Sequence, residues 1–227
     1  MKTSTQEIKD KFMHDKTESE TIHRLFEDQL KDIYWAEQEL TRFMPKVVEN
    51  IESSDLVKTL LDHMRVTEKQ VTRLEKIFDI IGTEAQGEKC DGMEGLVIEA
   101  RKIFDETGKG IIRDAFLIGA VQKMEHYEMA SYGTLKSMAT ILGEYEVATL
   151  LGETLKEEKD ADMKLTEVAE NVINIDASRQ AGELEEEEEE EEFEEDEEED
   201  VEMDDEQFED TGSKGKITSK SKSKSSR

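Results

Sequence analysis

Polar and acidic residues interrupt the apolar stripes of four predicted helices, near the middle of each stripe. Residues spaced by four and three positions share one helical face, and in the first stripe Glu37 lies between Ile33 and Leu40. Burial of five carboxylates in one core is prohibitive without a positive partner, and a pair of metal ions is the simplest such partner. The interrupting residues are Glu37 in the first stripe, His63, Thr67 and Gln70 in the second, Glu125 and Glu128 in the third, and Glu158 and Asp162 in the fourth.

The carboxylates of the third and fourth stripes have spacings that suit a shared cation. Glu158 and Asp162 are one helical turn apart, so their oxygens can converge on one ion. Glu125 and Glu128 are three residues apart and cannot both be buried and ionised without a positive partner. The fourth stripe follows Leu151, Leu155, Glu158, Asp162 and Leu165.

Ordinary structural explanations stay open for these carboxylates. A slight rotation of the first helix would let Glu37 pair with Arg42 or face the solvent. Glu158 and Asp162 lie in a Glu-rich segment that could instead form an exposed face. The interpretation as metal ligands therefore depends on the acids occurring together, each near the middle of its stripe.

Two histidines are candidate nitrogen ligands. His63 lies in the second stripe, where a metal ligand and a core histidine with satisfied hydrogen bonds explain it equally well. His126 follows Glu125 and lies about 100° around the helix from it. It could bind a metal, donate a hydrogen bond to a ligand, or be exposed. Cys90 is the one cysteine and has no CxxC motif, so we expect an unreactive thiol.

The elements that must position these residues are all predicted to be helices. Proline occurs once in the chain, and alternating strand patterns are absent. The polar turn over residues 53–55 offers an N-cap for the second helix, while Gly82 and Gly143 offer C-terminal stops. The long helices are predicted from near Ser19 or Thr21 to Ile51 with a kink at Pro45, from the Ser53–Asp55 turn to Ile81, from Ile111 to Leu142 and from Glu144 to Ile175, with a shorter helix from Met93 to Phe104.

The lengths of the connections indicate the topology. Tight turns join the first helix to the second and the third long helix to the fourth, which makes two antiparallel hairpins. The link over residues 83–110 is long enough to cross the whole bundle. The predicted fold is therefore all-α: a ferritin-like antiparallel four-helix bundle with a long crossover that contains an extra short helix.

The composition divides the chain into three parts. Of its 227 residues, we assign 1–17 to a flexible N-terminus, 18–178 to the bundle and 179–227 to a disordered low-complexity tail. The tail has 22 acidic residues between 183 and 210 and a Lys/Ser-rich end at 213–227. It therefore accounts for most of the formal net charge of -29.

The composition also argues against several classes of function. No secretory signal and no apolar run of membrane-spanning length are visible, and a lone cysteine fits a reducing cytoplasm. The negative charge of the predicted bundle, which has no basic face, argues against nucleic-acid binding. No Ser/His/Asp or Cys/His constellation indicates hydrolytic catalysis, and whether the protein is an enzyme is left open.

Several segments carry a family resemblance: LFEDQLKDIYWAEQELTRFMPKV, RLEKIF, MEGLVIEA and, most specifically, the EHYE-x-A-x-Y run at 125–132. Over roughly residues 21–173 the chain resembles the ferritin-like YciE/YciF family of bacterial stress proteins. The resemblance implies a four-helix ferritin-like bundle, commonly dimeric, with a di-iron-type carboxylate site. It implies Glu37, Glu125, Glu128, Glu158 and Asp162 as site residues, with Glu99 in the crossover as a residue that caps the site.

The chain departs from this family in the second helix. The family typically reads His-Leu-Glu-Glu-Thr there, whereas this chain has Arg65 and Val66 in place of the two glutamates between His63 and Thr67. A complete two-metal site is therefore in question. A single-metal or weakened site remains open, as does a metal-free bundle in which Arg65 neutralises part of the carboxylate cluster.

Two functions are expected from these observations. The first is a stress-response protein that holds iron or manganese, because oxygen ligands with one imidazole suit these ions. The second is a metal-free structural bundle, as a homodimer, whose polyanionic tail binds cationic partners.

Overall fold

The computed structural model describes the backbone of residues 4–182 and the side chains of residues 18–182. Within that part of the chain there are helices and no strands, which confirms the all-α prediction. Of the predicted disordered tail over 179–227, residues 179–182 are helical and residues 183–227 lie outside the described residues. The helices are α1 (Ser4–Glu49), α2 (Ser54–Ile81), α3 (Asp91–Glu106), α4 (Ile111–Leu142) and α5 (Tyr145–Val168), with a π-helical turn at Ala169–Ile173.

The four long helices pack as two hairpins side by side. Helix α1 packs against α2 and α4, and α5 packs against α4 and α2. The connection between α2 and α4 crosses from one hairpin to the other, and its helix α3 lies against α4 and α1. This arrangement confirms the predicted ferritin-like bundle with an extra helix in the crossover. Among the described residues, no helix is both long and apolar enough to cross a membrane.

Local sequence signals set most of the helix ends. The Ser53 side chain accepts a hydrogen bond from the backbone N–H of Leu56 at 3.4 Å and caps α2. Gly82 ends α2 with φ 73°, and Gly143 ends α4 with φ 83°. Both glycines have the left-handed conformation that closes a helix, as predicted.

Helix α1 begins earlier than predicted, at Ser4 rather than near Ser19 or Thr21. The predicted start followed the first residues of the apolar stripe, but the preceding segment is mainly polar and rich in good helix formers. An apolar stripe detects only the part of a helix that packs against the core. At its other end, α1 continues through Pro45 and stops at Glu49.

The buried face of α5 is rotated slightly from the predicted stripe. Its buried side chains include Thr154 and Ala161, whereas Leu155 and Asp162 are only half-buried. Glu158 remains on the centre line of this face and is fully buried. The face runs through Val147, Ala148, Leu151, Thr154, Glu158, Ala161 and Leu165.

A buried aspartate at the start of α4 ties the two hairpins together. The carboxylate of Asp114 accepts hydrogen bonds from the backbone N–H of Glu52 at 3.1 Å and of Ser53 at 2.7 Å. Its neighbour Arg113 donates to the carbonyl oxygen of Phe104 at the end of α3. The α1–α2 turn, the crossover helix and α4 therefore meet at this one point.

Replacing Asp114 by alanine should destabilise the bundle by about 1–3 kcal/mol, because two backbone N–H groups lose their acceptor. Urea unfolding followed by circular dichroism measures this change. Asp105→Ala, at an exposed position of α3, is the matched control and should change stability much less. Equal losses in the two variants would contradict the structural role given to Asp114.

Candidate metal centre

Four carboxylates lie buried together at the centre of the bundle. They are Glu37 from α1, Glu125 and Glu128 from α4, and Glu158 from α5, each with 0–1% of its surface exposed. The charge of at least one other member of the cluster raises the pKa values of Glu37, Glu128 and Glu158. Three of the four long helices therefore contribute acids to one cluster, as the stripes predict.

Helix α2 contributes polar groups to the cluster but no carboxylate. His63 Nε2 lies 3.0 Å from Glu125 Oε1. The side-chain amide of Gln70 donates to Glu158 Oε1 and, at 3.2 Å, to Glu157 Oε2. These contacts explain why His63 and Gln70 interrupt the apolar stripe of α2: each is a partner of a buried acid.

A tyrosine hydroxyl holds the carboxylate from α1. Tyr132 on α4 is fully buried and donates its O–H to Glu37 Oε1. Burial and the nearby charge of Glu37 raise the pKa of Tyr132 well above its usual value, so the hydroxyl keeps its proton. Tyr132 therefore acts as a fixed donor that orients Glu37.

Each of the four carboxylates in this cluster has a buried oxygen without a donor among the described residues. In the described part of the chain, no hydrogen-bond partner reaches one buried oxygen on each of the four acids. Buried polar atoms are rarely left without a partner in native proteins, so inward-facing oxygens of this kind are natural ligands for a cation. The oxygens are Glu37 Oε2, Glu125 Oε2, Glu128 Oε1 and Glu158 Oε2.

The cluster favours protons when no cation is present. Burial, followed by the charge of neighbouring carboxylates, raises the pKa values of Glu37, Glu128 and Glu158 well above their usual range. Burial also raises the pKa of Glu125 to about 7, although a hydrogen bond with Glu158 partly opposes this shift. A protonated member of this pair can donate to the other, but two ionised members have no such bond. Without a positive partner, the cluster therefore retains protons at a pH where exposed glutamates are ionised.

Three residues of the cluster have ligand atoms close enough together to bind one ion. One ligand atom each from His63, Glu125 and Glu158 lies within 4.8 Å of the other two. A single ion between them would have one imidazole nitrogen and two carboxylate oxygens as ligands.

Asp162 and His126 lie at the margin of the cluster. Asp162 Oδ2 is 3.3 Å from His126 Nε2, and Gln122 donates to Asp162 Oδ1 at 3.0 Å. The side chain of His126 is 64% exposed and that of Asp162 is 20% exposed. The charge of Asp162 still raises the pKa of Glu125, so it acts on the cluster from its edge. The rotation of α5 explains why Asp162 does not lie at the centre.

Glu99 lies outside the cluster. Its carboxylate is exposed on α3 and pairs with the ammonium group of Lys123 on α4 at 2.9 Å. The structure thus places five of the eight candidate residues together and the other three elsewhere. Those together are Glu37, His63, Glu125, Glu128 and Glu158.

The positive charge of Arg65 does not reach the cluster. Its guanidinium group is exposed on α2 and pairs with Asp62 at 2.5 Å. The hypothesis that Arg65 neutralises the buried acids is therefore not supported by its position. Val66 lines a surface cleft next to His63.

Comparison with known proteins gives the family. Residues 21–178 match the family described as a domain of unknown function, DUF892. This chain belongs to that family. Protein YciF of Escherichia coli K12 is 41% identical over 162 residues, which are 71% of this chain and 98% of that protein.

Solved structures support the same relationship. The crystal structure of the Escherichia coli stress protein YciF matches with a TM-score of 0.65 and 41% identity, covering 67% of this chain and 97% of that one. YcfI of Rhodopseudomonas palustris matches with a TM-score of 0.63 and 36% identity, covering 64% of this chain and 92% of that one. The family expected from the sequence motifs is confirmed.

Replacing Glu125 by glutamine should stabilise the metal-free protein at pH 8. The folded protein raises the pKa of Glu125 from 4.5 to about 7, so it holds this proton more tightly than the unfolded chain does. The resulting stability is fully present below about pH 4.5 and is lost as the pH rises through about 7. Glutamine does not ionise and should remove this loss, a gain on the order of 2 kcal/mol at pH 8.

Urea unfolding of the chelator-treated protein at pH 5 and pH 8 measures this gain. Glu153→Gln, at a side chain 55% exposed on α5, is the matched control. The interpretation fails if Glu125→Gln gains no more at pH 8 than at pH 5, or no more than the control gains.

Proposed function

We propose that the bundle binds one divalent iron or manganese ion through its buried carboxylates. The observation that carries this proposal is the set of four buried carboxylate oxygens for which the described residues offer no donor. Ionised acids at this depth need a positive partner, and no lysine or arginine is buried among them in the described part of the chain. A bound cation would give the unpaired carboxylate oxygens a partner and offset the free-energy cost of burying their charge.

The set of donor atoms suits these ions. We propose that His63, Glu125 and Glu158 hold the ion and that Glu37 and Glu128 supply further oxygens. Carboxylate oxygens with one imidazole favour iron or manganese over metals that prefer thiolate ligands. Because α2 supplies no carboxylate, we propose one well-bound ion per chain rather than two.

The surrounding residues orient the ligands. The Tyr132 hydroxyl fixes Glu37, and the Gln70 amide fixes Glu158. Such neighbours typically change metal affinity by about 10–100-fold when they are lost. A bound iron or manganese ion would supply redox chemistry with peroxide or oxygen.

The related YciF is described as a stress protein, and we propose a corresponding role here. In this role the protein would act in the cytoplasm by sequestering a redox-active metal or by consuming an oxidant. Both roles need the same site, so metal binding is the property to test first.

Metal analysis of the purified protein tests the site. Protein prepared with iron or manganese supplementation should contain about one equivalent, and Glu158→Gln should lower the affinity at least about tenfold because it removes an anionic ligand. Glu146→Gln, at a carboxylate 64% exposed on α5, should bind metal like the wild type. Wild-type protein with far less than one equivalent of either metal would overturn the proposal.

A second proposed function belongs to the acidic tail. Its 22 acidic residues over 183–210 support binding of cationic partners, a function that needs no metal. These residues lie outside the described part of the chain, so composition is the support. In this role the bundle would serve as a structural homodimer that carries the tail.

Truncation after Gln180 separates the two functions, because the compact unit Met1–Gln180 contains the whole carboxylate cluster. The truncated protein should retain its metal content and lose binding to a polylysine column. Loss of metal on truncation would contradict the assignment of the metal site to the bundle.

A further inference from the structure

A surface cleft lies between α2 and α5, directly beside the carboxylate cluster. Its volume is about 440 Å³, and His63 forms part of its wall. The cleft continues along the π-helical turn, where Val172 contributes to the lining. The wall of the cleft also includes Thr59, Asp62 and Val66 from α2 and Asp160, Ala161 and Lys164 from α5.

Among the five residues that form the cluster, His63 is the most exposed. The four acids are 0–1% exposed, and the other polar neighbours Thr67, Gln70 and Tyr132 are at most 2% exposed. His63 is 8% exposed, and it contacts both the cleft and Glu125. Its imidazole ring therefore separates the cleft from the buried carboxylates.

A second contact joins the cleft to the cluster. Glu157 lines the cleft and is held by two hydrogen bonds from the guanidinium group of Arg73, at 2.7 and 2.9 Å. The amide of Gln70 donates to Glu157 and also to the buried Glu158. The hydrogen bonds from Arg73 and Gln70 to α5 lie between α2 and α5, so the cleft and the cluster share this helix pair.

The cleft suits a hydrated cation. Each water of a hydration shell takes about 30 Å³, so the cleft has room for an ion that has not yet lost its shell. Five carboxylates line the cleft and offer oxygens to such an ion, although Asp62, Glu157 and Asp160 also pair with Arg65, Arg73 and Lys156. The charged lining residues are the acids Asp55, Asp62, Glu157, Asp160 and Glu167 and the bases Lys58 and Lys164.

We propose that the α2–α5 cleft is the path by which the divalent cation reaches the carboxylates, and that His63 is the residue it must pass. This inference rests on the proposed metal site. In this proposal His63 would be the first ligand offered to an ion that enters from the cleft, because its ring lies between the cleft and Glu125. In this proposal, rotation of the His63 side chain would open the path while the helices stay packed.

Closing the cleft should slow metal binding without weakening it. Val66→Trp places a large side chain in the cleft next to His63 and changes no proposed ligand. Leu61→Trp adds the same side chain to α2 outside the cleft, at a residue that is 39% exposed, and is the matched control. The probe is cobalt(II), whose visible absorption reports binding in stopped-flow mixing with the full-length protein.

We expect at least a tenfold lower association rate in Val66→Trp than in Leu61→Trp, with an equal equilibrium affinity. An obstructed path slows binding and release together, whereas a damaged site changes the affinity. Circular dichroism and thermal unfolding confirm that both variants are folded. Equal association rates in the two variants would overturn the proposed entry path but not the proposed metal site. Absence of cobalt binding by the wild type would overturn both proposals.

A change of charge gives an independent test if Val66→Trp does not fold. Lys164→Glu makes the cleft more negative and should raise the association rate several-fold at low salt, with the effect lost at high salt. Lys102→Glu, on the exposed surface of α3 outside the cleft, is its control. The same rate increase in both variants would show a general charge effect and overturn the path.

Discussion

Four carboxylates buried at the centre of a helical bundle are the constraint on which the rest of this structure depends. Ionised, they need a positive partner; protonated, they hold protons at a pH where glutamate is normally charged. The chain orients two of them with Tyr132 and Gln70 and places His63 against a third. The described part of the chain has no positively charged lysine or arginine among them, which is why we propose a bound cation as their partner.

The fold positions these acids by joining two hairpins closely. Asp114 ties the α1–α2 turn to the start of α4. This contact fixes the positions of the α1 and α4 carboxylates relative to each other along the bundle axis. Arg73 on α2 binds Glu157 on α5, which holds the other pair of helices together beside the cluster. The same α2–α5 contact contains the cleft and His63, so stability and access depend on one helix pair.

Much of this arrangement could be predicted from the sequence because helical periodicity is local. The stripe positions of Glu37, Glu125 and Glu158 predict their burial, and Gly82 and Gly143 predict where helices end. What periodicity misses depends on the neighbouring helices. A small rotation of α5 moves Asp162 to the margin, and the position of Glu99 follows from how α3 packs, which sequence spacing does not contain.

The most direct measurement is anomalous X-ray scattering at the iron and manganese edges, from crystals grown with each metal. The account predicts one strong peak between the side chains of His63, Glu125 and Glu158, within coordination distance of their ligand atoms. Peaks confined to surface carboxylates, with the buried acids bonded only to one another, would contradict it.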